Sequence, residues 1–119
     1  MIQNAQAYVE NLWNWKIFDG CFKNTKISVS DIDGVVERNG HFLFIETKAP
    51  GVKINMGQSI LLAHLAKMPK TTVVVVWGKP GVVESIKTYP DGEVTCCTTQ
   101  DLRDKVKAWF KRADSDKRM

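Results

Sequence analysis

The sequence predicts an α/β fold in which a mixed β-sheet is flanked by helices. Three observations carry this. Asn39-Gly40 separates two strand-like segments and is the strongest hairpin-turn signal in the chain. Residues 71–77 (TTVVVVW) form an uninterrupted apolar, β-branched run, which suits a central strand covered on both faces. Two further segments, 55–67 and 99–113, carry apolar residues at helical spacing.

In chain order, 3–15 reads as a helix, with Ala5, Val9, Leu12 and Trp13 on one face and Glu10 pointing away from it. Phe18-Asp19-Gly20 ends that segment. Residues 27–30 (ISVS) alternate as a short strand does, and 31–36 lead into a second strand. His41 opens a third, 41–48 (HFLFIETK), rich in aromatic and β-branched residues. Asn55 can cap the next helix, with Gln58 three residues on as in a capping box. Ile60, Leu61, His64, Leu65 and Met68 are expected along its buried face, and Pro69 stops it. Residues 82–89 suit another strand. The last helix starts at Thr99 or Gln100, with Leu102, Val106, Trp109 and Phe110 inward, and the polar tail 114–119 is expected to fray. The predicted order is α-β-β-β-α-β-(β)-α.

The 119 residues fit a single domain, 1–119, able to bury roughly two-thirds of its unfolded surface. Hydrophobic residues make up 44% and charged residues 25%, which argues against a mainly disordered chain. No apolar run approaches the ~18 residues of a membrane helix, and 1–10 carry no signal-peptide pattern, so a cytoplasmic location is expected. Three cysteines, Cys21, Cys96 and Cys97, are an odd count with no C-x-x-C pair. That excludes a disulfide framework and a zinc-ribbon pattern, and it suits a reducing compartment. Seventeen basic against thirteen acidic residues leave a net charge of +4, compatible with a polyanionic partner.

The chemistry concentrates between Asp31 and Lys48. Glu46 and Lys48 sit at i and i+2 of one strand and share a face. Counted from a two-residue turn, Arg38 pairs with His41, and the same register puts Asp33 opposite Glu46. Two carboxylates that close repel unless a cation lies between them, and oxygen ligands suit Mg²⁺ or Mn²⁺. Asp31, on the same strand face, is the rival first carboxylate.

Asp33…Glu46-Thr47-Lys48 resembles the core motif of the PD-(D/E)XK nuclease superfamily. With Gln58 and the following strand, the chain is similar to its VRR-NUC branch and to Holliday-junction resolvase-like nucleases. The likeness covers roughly residues 5–80. It departs in one place, since Ile32 and not Pro precedes Asp33. The resemblance implies a restriction-endonuclease-like core and a divalent-metal-dependent DNA endonuclease leaving 5′-phosphate and 3′-hydroxyl ends. It implies that Asp33, Glu46 and the Thr47 carbonyl hold the metal, with Glu10 from the first helix as a further ligand. Lys48 would position or activate the attacking water. Gln58 would contact substrate or the Lys48 region, or serve as the capping partner of Asn55.

The resemblance also implies structure-selective cutting of flaps, junctions or nicked DNA in phage or bacterial recombination, repair or replication. A homodimer would let two active sites meet two strands. Lys26, Lys53 and Lys79 are candidate contacts to the DNA backbone, with Lys23 and the C-terminal Lys105, Lys107, Lys111 and Arg112. His41 and His64 are read as structural. Two other classes compete. One is a DNA-binding module with an inactive nuclease fold; the other is a non-enzymatic α/β interaction protein whose Glu46–Lys48 pair is a salt bridge.

Overall fold

The computed structural model describes Glu10 and residues 12–90 and 92–117. The chain divides into two compact units, residues 1–31 and 32–119.

In the first unit, the helix predicted over 3–15 lies mostly outside the described residues. Residues 12–14 are not helical, and a short 3-10 helix, Trp15–Phe18, follows. The Asn14 side chain accepts a hydrogen bond from the Lys16 N–H at 3.0 Å and starts that turn. The Trp15 indole N–H donates to Asp31 at 3.3 Å, so the rival carboxylate is engaged inside this unit. The strand predicted at 27–30 is absent. Alternation alone does not make a strand. Here the Ile27 N–H donates to the Thr25 hydroxyl instead of a neighbouring strand, and Ile27 is exposed.

The second unit is a five-stranded sheet in the order β1 (Gly34–Arg38), β2 (His41–Lys48), β3 (Thr71–Lys79), β4 (Val82–Tyr89) and β5 (Thr95–Cys96). β2 and β3 are parallel and the other pairs antiparallel, which makes the sheet mixed. Helix α1 (Met56–Ala66) connects β2 to β3, and α2 (Thr99–Ser115) follows β5. The α/β class and the flanked mixed sheet are as expected, but the strand order begins one strand later and ends with the unpredicted β5. Two residues are too short a segment to show a hydrophobic period.

The β1–β2 turn follows the Asn39-Gly40 signal. Both residues have positive φ, 51° and 81°, the geometry of a two-residue hairpin turn. β3 is buried from Val73 to Trp77, as its unbroken apolar run requires. Val73, Val75 and Trp77 pack with Leu62 and Tyr89 on the α1 side. Val74 and Val76 pack with Leu43, Ile86, Trp109 and Ala113 on the α2 side.

Helix α1 corrects the expected stripe. Leu62 is the buried residue, 1% exposed, with Ala63, Leu65 and Ala66 beside it, while Ile60 is 52% exposed and His64 and Met68 also face outward. The helix is apolar nearly all round, so spacing alone could not choose its inner face. In α2, Leu102, Val106 and Trp109 turn inward as expected, but Phe110 is 48% exposed. Thr98 and Asp101 close a reciprocal capping box at its start. Its C-terminus does not fray at 114. Asp114 pairs with Arg38 at 2.6 Å and Asp116 with His41 at 2.9 Å, which gives His41 its structural role. Among the described residues, no helix is long and apolar enough to cross a membrane.

Candidate active site

The hairpin register brings the predicted carboxylates together. Gly34 pairs with Ile45 and Arg38 with His41, so Asp33 stands at the strand entrance opposite Glu46. The Asp33 N–H donates to Glu46 Oε1 at 3.3 Å. Asp33 Oδ2 accepts from the Thr47 N–H at 2.8 Å and from its hydroxyl at 2.9 Å. Asp33 is therefore tied to Glu46 through its backbone and to Thr47 through its side chain, just before β1 begins. A strand residue's N–H and C=O lie on one edge. The Thr47 carbonyl thus faces the open edge beyond β1, as its N–H does.

Glu46 is the one buried charged residue among those described, 5% exposed. Its place is set by alternation. Phe44, Glu46 and Lys48 share the α1 side of β2, next to the apolar cluster of Leu62, Val73, Val75 and Trp77. Burial and the adjacent Asp33 carboxylate push the Glu46 carboxyl up to about 7. Asp33 moves the other way. Hydrogen bonding from Glu46 and from Thr47 holds its carboxyl below the ordinary range. The pair thus favours one shared proton over two negative charges.

Gln58 completes the cluster, and its backbone and side chain divide two tasks. Its N–H donates to the Asn55 side chain at 2.8 Å and caps α1. Its side-chain Nε2 donates to Glu46 Oε2 and does not close the other half of a capping box. Gln58 Oε1 is buried and has no partner among the described residues. Lys48, half-buried, takes part in none of the ion pairs seen among the described residues. Its charge is still close enough to favour ionisation of both carboxylates.

These residues fit a hard divalent cation. Two carboxylates meet, one of them buried and resisting ionisation, and among the described residues neither is in an ion pair. An orphaned amide oxygen lies beside them. Among the described residues no group of three or more His, Cys, Asp or Glu is gathered for a metal. The donor set is instead two carboxylates and a carbonyl, which leaves most positions to water and phosphate, the pattern Mg²⁺ prefers.

Glu10 and Lys26 belong to the first unit. Lys79 ends β3 and lines a cavity of about 550 Å³ that also touches Thr47 and Lys48. Lys53 lines a different cavity with Trp77, Lys87 and Tyr89, three residues the sequence reading had not assigned to any site. The alternation of Ser85, Lys87 and Tyr89 on β4 could have revealed them, given the pairing of β4 with β3.

No protein-family model, curated protein or solved structure matches the chain.

Proposed function

We propose that the chain is a divalent-metal-dependent DNA endonuclease with a PD-(D/E)XK-type active site of the VRR-NUC kind, selective for branched, flapped or nicked DNA. The observation that carries this reading is the buried Glu46 carboxylate in contact with Asp33, with Lys48 two residues on and outside every ion pair described. A structural salt bridge does not account for it, because the lysine is not paired while the two acids are crowded together.

Asp33, Glu46 and the Thr47 carbonyl would hold Mg²⁺ or Mn²⁺. The metal, when bound, lowers the pKa of bound water and draws charge from the phosphoryl oxygen. Gln58 fixes Glu46 through its amide N–H. Thr47 fixes Asp33 through two hydrogen bonds, so both acids are oriented before substrate arrives. Lys48 faces the same side as Glu46, where its ammonium can neutralise charge at the scissile phosphate or its amine can take the water's proton. Lys26, Lys53 and Lys79 supply backbone contacts in this reading, and a homodimer or a role in phage or bacterial recombination and repair would follow from the same family likeness.

The test is a nicking assay on supercoiled plasmid and a labelled four-way junction, with Mn²⁺, Mg²⁺ or EDTA. Cleavage is expected to need metal and to vanish in Glu46→Ala and Lys48→Ala. Cleavage that survives both substitutions would place the active site elsewhere. A folded chain that cuts no nucleic acid with metal present would favour an inactive binding module.

A further inference from the structure

The register of the sheet sets two rows on its α1 side. One runs from Glu46 through Val75 to Lys87, the other from Lys48 to Trp77. Adjacent strands lie about 4.8 Å apart, so the Lys87 backbone stands about 10 Å from that of Glu46, within reach of one nucleic-acid strand. The β4 end of these rows opens into a cavity of about 470 Å³, bounded by the 50–54 loop, Ser59 of α1, β3 and β4. That volume is in the range of small-molecule sites, about 300–1,000 Å³.

Trp77 and Tyr89 form its wall, each 8% exposed. Their polar tips are already used. The Trp77 N–H donates to the Val52 carbonyl at 2.6 Å, and the Tyr89 hydroxyl bonds the Ser59 hydroxyl at 3.0 Å. Most of each ring is buried in the core, so what remains for a ligand is a narrow apolar edge. Lys53 and Lys87 stand at the rim and enter none of the ion pairs among the described residues. The Lys87 ammonium lies 4.8 Å from the Tyr89 ring centroid. Glu84 is the only acid among the described lining residues, against Lys53 and Lys87. An apolar lining of Val52, Ile54, Val94 and the edges of Trp77 and Tyr89, with two ammonium groups beside it, matches a ligand with an apolar flat body and an anionic group. Adjacent residues of α1 face the two places: Gln58 reaches Glu46 and Ser59 reaches Tyr89.

We propose that this cavity is a subsite for one unstacked nucleotide, its phosphate between Lys53 and Lys87 and its base against Trp77 and Tyr89. The proposal rests on the nuclease reading and narrows its substrate to nucleic acid with an unpaired segment beside the cut. A base held in a duplex stack cannot enter the cavity without being extruded.

The test is fluorescence anisotropy in EDTA, where no cleavage occurs, with labelled single-stranded DNA and RNA oligonucleotides and the blunt duplex of the same sequence. The native chain is expected to prefer a single strand. The double variant Lys53→Ala/Lys87→Ala, checked for native circular dichroism, is expected to bind it about tenfold more weakly. Its salt dependence should be shallower by about 0.7 in log–log slope, the share of the one phosphate held between the two lysines. Unchanged affinity in the double variant, equal affinity for duplex, or no binding of either single strand would overturn the subsite. Metal-dependent cleavage is scored separately on the same proteins. Binding lost with the lysines but no cleavage by the native chain upholds the subsite and sinks the nuclease. Cleavage by a native chain whose binding ignores both lysines does the reverse.

Discussion

The two ends of the β1–β2 hairpin handle their charges in opposite ways. At the turn, acids meet basic side chains. Arg38 pairs with Asp114 at 2.6 Å, His41 with Asp116 at 2.9 Å, and the Asn39 amide donates to the Ala113 carbonyl at 3.0 Å. At the open end, like charges meet. Asp33 and Glu46 are linked to each other, and Lys48 is near without pairing. The turn-end acids fasten the end of α2 to the sheet. The open-end acids are held by hydrogen bonds and by no ion pair among the described residues, and burying one of them opposes folding unless something neutralises it. That contrast separates charges that serve the fold from charges available for chemistry.

The largest expected effect belongs to the open end. Lys48→Ala should lower metal-dependent cleavage by roughly 10²–10⁴-fold, the span of a lost general base, while leaving thermal unfolding nearly unchanged. Single-turnover rates on the nicked substrate measure it. Unaltered rates would reduce the open end to another structural cluster.

The second effect is on stability against pH. Glu46 ordinarily titrates near 4.5 and is pushed up to about 7 in the folded chain. Its protonated form is therefore the one folding favours. The associated stability is fully present below about 4.5 and is lost as the pH rises through about 7. Without metal, the native chain should be less stable at pH 8 than at pH 5 by up to about 3 kcal/mol. Asp33, held below its ordinary value, contributes in the opposite sense and only in acid, since its stabilisation is lost as pH falls. Urea unfolding in EDTA at the two pH values tests this. Glu46→Gln should flatten the slope, because a neutral side chain takes the protonated acid's place.

A metal should offset part of that loss. At pH 8, Mg²⁺ at a hundred times its Kd should stabilise the native chain by about 2.7 kcal/mol and do nothing for Glu46→Ala. A gain equal in both proteins would place the ion elsewhere.

The smallest effect belongs to the turn end. Arg38 and Asp114 are each nearly half exposed, and Arg38→Ala should cost about 1 kcal/mol or less. A loss comparable to the Glu46 effect would erase the distinction between the two ends.

Much of this site was legible before any tertiary contact was known. The Asn39-Gly40 turn and the period of two along 41–48 placed Asp33 against Glu46 and put Lys48 on the same face. The capping pattern located Gln58 on a helix start. Other features were not legible. Residues 27–30 alternate but find no strand to pair with. Ile60 fits a helical stripe as well as Leu62 does, and an apolar helix does not declare which side meets the sheet. Thr95 and Cys96 form a strand only because β4 offers its edge.

By itself the sequence determined the hairpin, its register and the central buried strand, because turn chemistry and side-chain alternation act over neighbouring residues. Only the tertiary structure decided that Glu46 is buried, that Gln58 turns its amide to Glu46 and not to the Asn55 backbone, and that Trp77 and Tyr89 share a cavity with Lys53 and Lys87. Those outcomes depend on which face α1 covers and on the pairing of β3 with β4. Both are set by packing between segments far apart in the chain, and no local period records them.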